Sequence, residues 1–237
     1  MKIEKIKHIT GKLHVLSGLH IGAGRDVIEI GGLDQPVIKH PITGAPYVPG
    51  SSLKGKMRSL LELYYFIDNP TTKKDYLLKG NPCGCGKREC LACVIFGYPS
   101  SNVPGNNSSS DSGKLPTGST RLIVRDAMLC SRDYERFLKG ELPMEIKYEN
   151  TIDRVTGVAQ NPRPLERVPA GVDFDFSMSF KVFEGDDPNW INCVYQGLKL
   201  VELDALGGGG SRGSGQVRFD DLFCDDSKVD LTTVKLR

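Results

Sequence analysis

Long apolar runs are missing from this chain of 237 residues. The longest, such as Leu60 to Ile67, falls far short of the roughly 20 apolar residues that a bilayer-crossing helix needs, and Glu62 interrupts it. The opening Met1-Lys2-Ile3-Glu4-Lys5 alternates charge with aliphatic residues and lacks the apolar centre of a secretory leader. A cytoplasmic protein with no membrane partner is the expectation. An excess of one charge is also missing: 31 Lys and Arg stand against 29 Asp and Glu, for a formal net charge of +2. Bulk charge is therefore no basis for binding nucleic acid, and any phosphate contact must come from local patches. No Ser-His-Asp order, HExxH or acidic cluster offers a catalytic centre. Outside one window cysteine is scarce, since four of the seven fall between Cys83 and Cys93. Without a secretion signal, such crowding suggests metal before disulfide.

What is present reads as one domain over 1–237, with insertions at 80–97, 100–120 and 151–170. Ile6 to Leu16 is rich in β-formers and runs into the glycine-punctuated Gly18-Leu19-His20-Ile21-Gly22-Ala23-Gly24. Val27 to Ile30 reads as a short strand and Gly31 to Pro36 as a turn. Pro49-Gly50-Ser51-Ser52 opens the clearest helix, which extends to about Asp68 with Leu53, Met57, Leu60, Leu61 and Tyr64 at helical spacing. Residues 100–120 are Ser, Asn, Gly and Pro with almost nothing to bury, which predicts a disordered insertion. Arg121 to Leu129 reads as a strand, Ser131 as the cap of a short helix stopping at Gly140, and Met144 to Glu149 as another strand. Thr151 to Ala170 is a Pro-, Arg- and Gly-rich excursion. Val172 to Phe180 alternates cleanly, which predicts a strand with one buried face. Asp187-Pro188 starts a second long helix ending near Leu206, and Gln216 to Phe223 closes as a strand. Two long helices among about seven strands predict an α+β, ferredoxin-like antiparallel sheet with helices on one face.

Four groups bear chemistry. Ser51, Lys54, Gly55 and Arg58 share one face of the first helix, where free amides, hydroxyls and cations favour an anion such as a phosphodiester backbone. A capped helix with a solvated basic face explains the same residues equally well. The run Gly207 to Gly215, with Gly208, Gly209, Gly210 and Arg212, offers amides and a guanidinium to a nucleic-acid backbone, although a flexible linker reads alike. No Gly-Lys-Ser/Thr closes it and it follows a helix, which disfavours nucleotide hydrolysis. Cys83, Cys85, Cys90 and Cys93 have spacing that suits one tetrahedral, structural zinc. An iron–sulfur cluster is the lesser alternative. Asp34 sits in Gly-Gly-Leu-Asp-Gln-Pro, where a carboxylate commonly caps its own turn.

Taken together, the His20 loop, the Gly32-Leu33-Asp34-Gln35-Pro36 turn, Pro49-Gly50-Ser51-Ser52-Leu53-Lys54-Gly55 and the late glycine run resemble the RAMP superfamily of CRISPR proteins. Within it, Glu149-Asn150-Thr151-Ile152-Asp153-Arg154 and Glu166-Arg167-Val168-Pro169-Ala170-Gly171 resemble the backbone subunit of type III-A effectors, the third subunit of the Csm complex. The resemblance implies an RRM-like palm and a thumb hairpin at 151–170. It also implies copies of the chain polymerised along a crRNA with other Csm complex subunits. Guide-binding positions then fall on His20, Ser51, Ser52, Lys54, Arg58, Arg154, Arg212 and the glycines. Asp34 falls on the aspartate that cuts complementary target RNA with Mg or Mn. Gln35 departs from the Asn common there. A non-cutting scaffold and a stand-alone CRISPR RNA-processing nuclease remain as alternatives.

Overall fold

The computed structural model describes residues 2–24, 35–65, 79–87, 89–98 and 120–236. The expected strand at 27–30, Asp34 itself, the helix beyond residue 65 and nearly all of the 100–120 insertion lie outside the described residues. No helix among the described residues is long and apolar enough to cross a membrane.

The core strand is β1 (Ile3–Val15), paired antiparallel to β7 (Asp173–Phe183) on one side and to β8 (Val217–Cys224) on the other. Two short strands, β3 (Leu122–Val124) and β4 (Ala127–Leu129), pair with β7, and β2 (Tyr47–Val48) pairs with β4. A final short strand, β9 (Ser227–Lys228), extends the edge beyond β8. Between them run helix α1 (Gly50–Tyr64), the short α2 (Leu91–Phe96), α3 (Ser131–Leu138) and α4 (Ile191–Leu203). The sequence order β1, α1, β3 with β4, β7, α4, β8 and the sheet order β4-β7-β1-β8 form the βαββαβ ferredoxin-like core that the sequence predicts.

The alternation in β7 explains why the sheet has two faces. Phe174, Phe176, Met178 and Phe180 are buried, whereas Asp173, Asp175, Ser177 and Ser179 lie on the other side. Opposite the phenylalanines, Leu53, Met57 and Leu61 of α1 and Val194, Leu198 and Val201 of α4 are fully buried. Both helices therefore seal one face of the sheet.

Three local expectations are corrected. Arg121–Leu129 is two strands with a break at Arg125 and Asp126, where the Arg125 amide still donates to the Ser177 carbonyl of β7 at 3.0 Å and Asp126 Oδ1 accepts from the Gly50 amide at 2.7 Å. That carboxylate, and not a serine, holds the start of α1, where Pro49 provides no side-chain cap. Second, the cap position of α3 is Cys130, and Ser131 is already helical. Its far end does stop at Gly140, whose φ of 72° accompanies bonds from the Gly140 and Glu141 amides to Phe137 and Arg136 carbonyls. Third, the hairpin expected at 151–170 starts earlier: β5 (Glu145–Ile152) and β6 (Ala159–Arg167) form a separate two-stranded hairpin. Asp187 behaves as expected, its side chain accepting from the Asn189 amide at 2.8 Å ahead of Pro188–Trp190 and α4.

Asp133 bolts α3 to the sheet. Its buried carboxylate accepts from Arg136 at 2.8 Å, from Arg132 at 2.8 Å and from the Asp173 amide at 2.9 Å. Burial pushes its pKa up, but the bonds from Arg132, the Asp173 amide and Arg136 outweigh it and hold the group at about 2. A depressed carboxylate contributes stability that is complete above its unfolded pKa and is lost as pH falls through its folded one. Denaturant titrations from pH 5 down to 2 should therefore show stability falling below about pH 4. Asp133→Asn, less stable at neutral pH, should lose less over the same range; an equal loss would remove Asp133 from this role.

Candidate nucleic-acid interface and metal centre

Beyond the end of β1 the chain continues as an irregular extension of the same ladder. The Leu19 amide and carbonyl exchange bonds with Val168 at 2.9 and 2.8 Å, which joins the His20 loop to the base of the hairpin. On the other side, the Gly208 amide donates to the His20 carbonyl at 2.8 Å and the Gly215 amide to the Gly18 carbonyl at 3.0 Å. The glycine run is thus no free linker. It is a shaped loop lying against His20, and glycine is required at its two ends. A β-carbon on Gly207 would come 2.2 Å from the His20 carbonyl oxygen, and one on Gly215 would come 2.0 Å from that of Leu206. Both have positive φ, 76° and 80°. Gly210–Arg212 forms a 3₁₀ turn between them.

His20 Nδ1 lies 2.8 Å from the Glu166 carbonyl oxygen. A carbonyl only accepts, so Nδ1 carries the hydrogen and donates, which fixes the ring. Glu166 is the centre of the arrangement. Its side chain is buried, with Oε2 accepting from the Val37 amide at 2.9 Å and Oε1 from Lys39 Nζ at 2.8 Å. Its own amide donates to the Gln35 carbonyl at 3.1 Å. Asp34 is outside the described residues, but the residue that follows it is fastened here. The Ala23 amide also meets the Pro36 carbonyl at 3.2 Å, so the loop holding Asp34 leaves and returns at this point.

Two arginines tie the hairpin to the glycine loop. Arg212 Nε donates to Glu149 Oε1 at 2.8 Å, and Lys147 Nζ donates to the Arg212 carbonyl at 2.7 Å. Arg167 is buried and donates to Ser214 Oγ at 3.0 Å and to Glu145, while its Nε, pressed against Gly18, has no partner among the described residues. At the far end, Arg154 lies exposed in the hairpin turn, which Asp153 shapes by accepting from the Val155 and Thr156 amides at 2.9 and 2.8 Å. Val155 and Val158 beside it are 95% and 57% exposed.

The α1 residues sit elsewhere. Ser51 is exposed and Ser52 half-buried, but the two cations turn inward. Lys54 Nζ donates to the Leu122 carbonyl at 2.8 Å, and burial pulls its pKa down, helped by nearby Arg58 and Lys181. Arg58 donates to Glu62 Oε1 at 2.8 Å, to the Gly97 carbonyl at 3.0 Å and to the Cys83 carbonyl at 2.6 Å. These partners were not legible from the helix face alone, although Glu62 stands four residues from Arg58 and signals an i,i+4 pair.

The cysteines converge. Sγ separations are 3.7 Å for Cys83–Cys90, 3.7 Å for Cys85–Cys93 and 3.9 Å for Cys83–Cys93. These exceed the roughly 2.05 Å of a disulfide and match the approximately 3.8 Å that four thiolates adopt at 2.3 Å around a tetrahedral zinc. Contacts with Cys85, then Cys90 and Cys93, draw the Cys83 thiol down, while contacts with Cys83 and Cys85 push Cys90 and Cys93 up. Four thiolates need a cation among them, and the donor set fits zinc. When bound, zinc supplies a four-armed crosslink, since all four positions are protein ligands. The loop is not a separate appendage: Cys83, Cys90, Ala92, Cys93, Val94, Ile95 and Phe96 belong to the main core.

The profile of the RAMP superfamily matches residues 12–218. The CRISPR system endoribonuclease Csm3 of Methanothermobacter thermautotrophicus is 40% identical over 233 residues, covering 97% of this chain and 90% of that protein. Csm3 of Streptococcus thermophilus is 38% identical over 229 residues, 94% of this chain and 90% of that one. The solved Csm3–Csm4 subcomplex of a type III-A CRISPR-Cas interference complex matches with a TM-score of 0.55 at 31% identity, over 95% of this chain and 82% of that chain. The chain belongs to the RAMP superfamily. Its full-length relatives named above are Csm3 proteins.

Metal analysis of the purified protein should give about one zinc per chain. Cys90→Ser should lower both zinc content and melting temperature, because a buried core segment loses its crosslink. A fully folded protein without metal would contradict the zinc assignment.

Proposed function

We propose that this chain is a crRNA-binding backbone subunit of a type III-A CRISPR effector that cuts complementary target RNA through Asp34. The observation that carries the reading is the convergence at Glu166 of the His20 loop, the two ends of the Asp34 loop and the hairpin, with the glycine loop bonded to His20 beside them, in a chain whose relatives are Csm3 endoribonucleases. The His20 ring, the amides of Gly209 and Gly210 and the guanidinium of Arg212 offer contacts to a guide backbone, with Gly208 holding the loop to His20, and Ser51 and Ser52 offer two more from α1. Lys54 and Arg58 support the latter by holding α1 in place. Other copies of the chain follow along the guide, and further subunits of the complex close its ends in the cytoplasm.

The hairpin acts on the target. Val155 and Val158 at its tip are apolar and exposed, suited to wedge between bases, with Arg154 beside them for a phosphate. A target strand splayed there brings a 2′-OH in line with the adjacent phosphate, and that geometry supplies much of the rate. Asp34 would hold Mg or Mn or orient this hydroxyl, and the ion, when bound, would supply charge neutralisation at the phosphate.

Two measurements test the reading. Arg212→Ala should weaken binding to guides of every sequence alike and flatten the dependence on salt. Asp34→Ala should fold, assemble and bind a complementary target while failing to cut it; any loss of turn capping should cost about 1 kcal/mol. Wild-type protein assembled on a guide should need Mg or Mn and leave evenly spaced fragments. Normal cutting by Asp34→Ala would move the chemistry elsewhere and leave a scaffold.

A further inference from the structure

Lys54, Arg58 and Glu62 stand four residues apart along α1, and the latter two close on the cysteine loop. Arg58 donates to the carbonyl of Cys83, where the loop enters the metal centre, at 2.6 Å, and to that of Gly97, where it leaves, at 3.0 Å. Glu62 Oε1 accepts from the Cys83 amide at 3.1 Å and from Arg58 Nε at 2.8 Å. The Cys83 carbonyl also faces Cys93 Sγ at 3.3 Å, so one peptide oxygen links the guanidinium to a second ligand. The pair is withdrawn from solvent, with side chains 15% and 4% exposed. A buried ion pair of this kind is costly unless its geometry satisfies both partners, and among the described residues the bonds beyond the pair go to the cysteine loop.

We propose that Arg58 and Glu62 are positioning residues of the metal centre, and that through them metal loading fixes the helix that carries Ser51 and Ser52. The proposal rests on the zinc reading above. A zinc with four thiolates carries a net charge of −2, and the guanidinium places a positive charge at its rim while its fork spans both ends of the loop. An ammonium reaches one carbonyl at a time, so Arg58→Lys keeps the charge and loses the clamp.

The test follows zinc leaving the loaded protein into a chelating dye, together with hydrogen exchange of the α1 amides before and after chelation. Arg58→Lys and Arg58→Ala should release zinc about 10- to 100-fold faster than wild type, and Glu62→Gln should fall between. Chelation should deprotect the α1 amides in wild type. In Arg58→Lys they should be exposed already and change little. If Arg58→Ala does not fold, Arg58→Lys alone decides. Equal release rates, or α1 protection indifferent to zinc, would overturn the latch while leaving the metal centre intact. A wild type that holds no zinc would overturn both. RNA affinity separates a direct role: a loss in Arg58→Lys that saturating zinc restores supports the latch, and a loss that zinc does not restore assigns Arg58 to RNA and refutes it.

Discussion

One buried carboxylate holds the functional end of this molecule together. Glu166 lies at the foot of the hairpin, and it fastens the Gln35–Lys39 segment through its own amide and its carboxylate, which meets the Val37 amide and Lys39. Its carbonyl at the same time orients His20. Each of these groups would be expensive to bury unpaired, by about 1–3 kcal/mol and more for the charge, so their mutual satisfaction leaves the three segments one low-energy arrangement. The hairpin, the His20 loop and the Gln35–Lys39 segment are therefore tied to one another.

A second constraint works at the opposite end of α1. The cysteine loop sends Val94, Ile95 and Phe96 into the same core that buries Leu61 and Met57. The metal centre is thus continuous with the packing that seats α1 on the sheet. Asp126 holds the start of the same helix from the break between β3 and β4. The helix is set from both ends by residues distant in sequence, and its own propensity decides little.

Periodicity made much of this legible. The Leu53, Met57 and Leu61 stripe and the phenylalanine alternation in β7 each point to one buried face, and a core-facing pattern is what a sequence records most directly. The cysteine spacing was legible for a similar reason, because ligand chemistry tolerates few alternatives. The hairpin was legible only through the family resemblance: Pro164 and the polar residues of β6 suggest a loop, and pairing with β5 overrides that local signal. The roles of Asp126, Glu62 and Glu166 were not legible, because their partners are set by long-range folding. Lys54 and Arg58 show the limit most clearly, since a cation on a helix face reads the same whether it meets solvent or a buried carbonyl.

The hairpin has one more consequence. A two-stranded ribbon leaves both outer edges unpaired, which ordinarily invites further strands to add on. Here Pro164 removes an amide from β6, and a bulge sets Asn161 and Pro162 of β6 opposite Asn150 of β5, with Asn161 at a φ of 51°. Such a ribbon is a poor template for a growing sheet. Copies brought side by side would therefore keep their hairpins distinct, and would not merge them into one sheet.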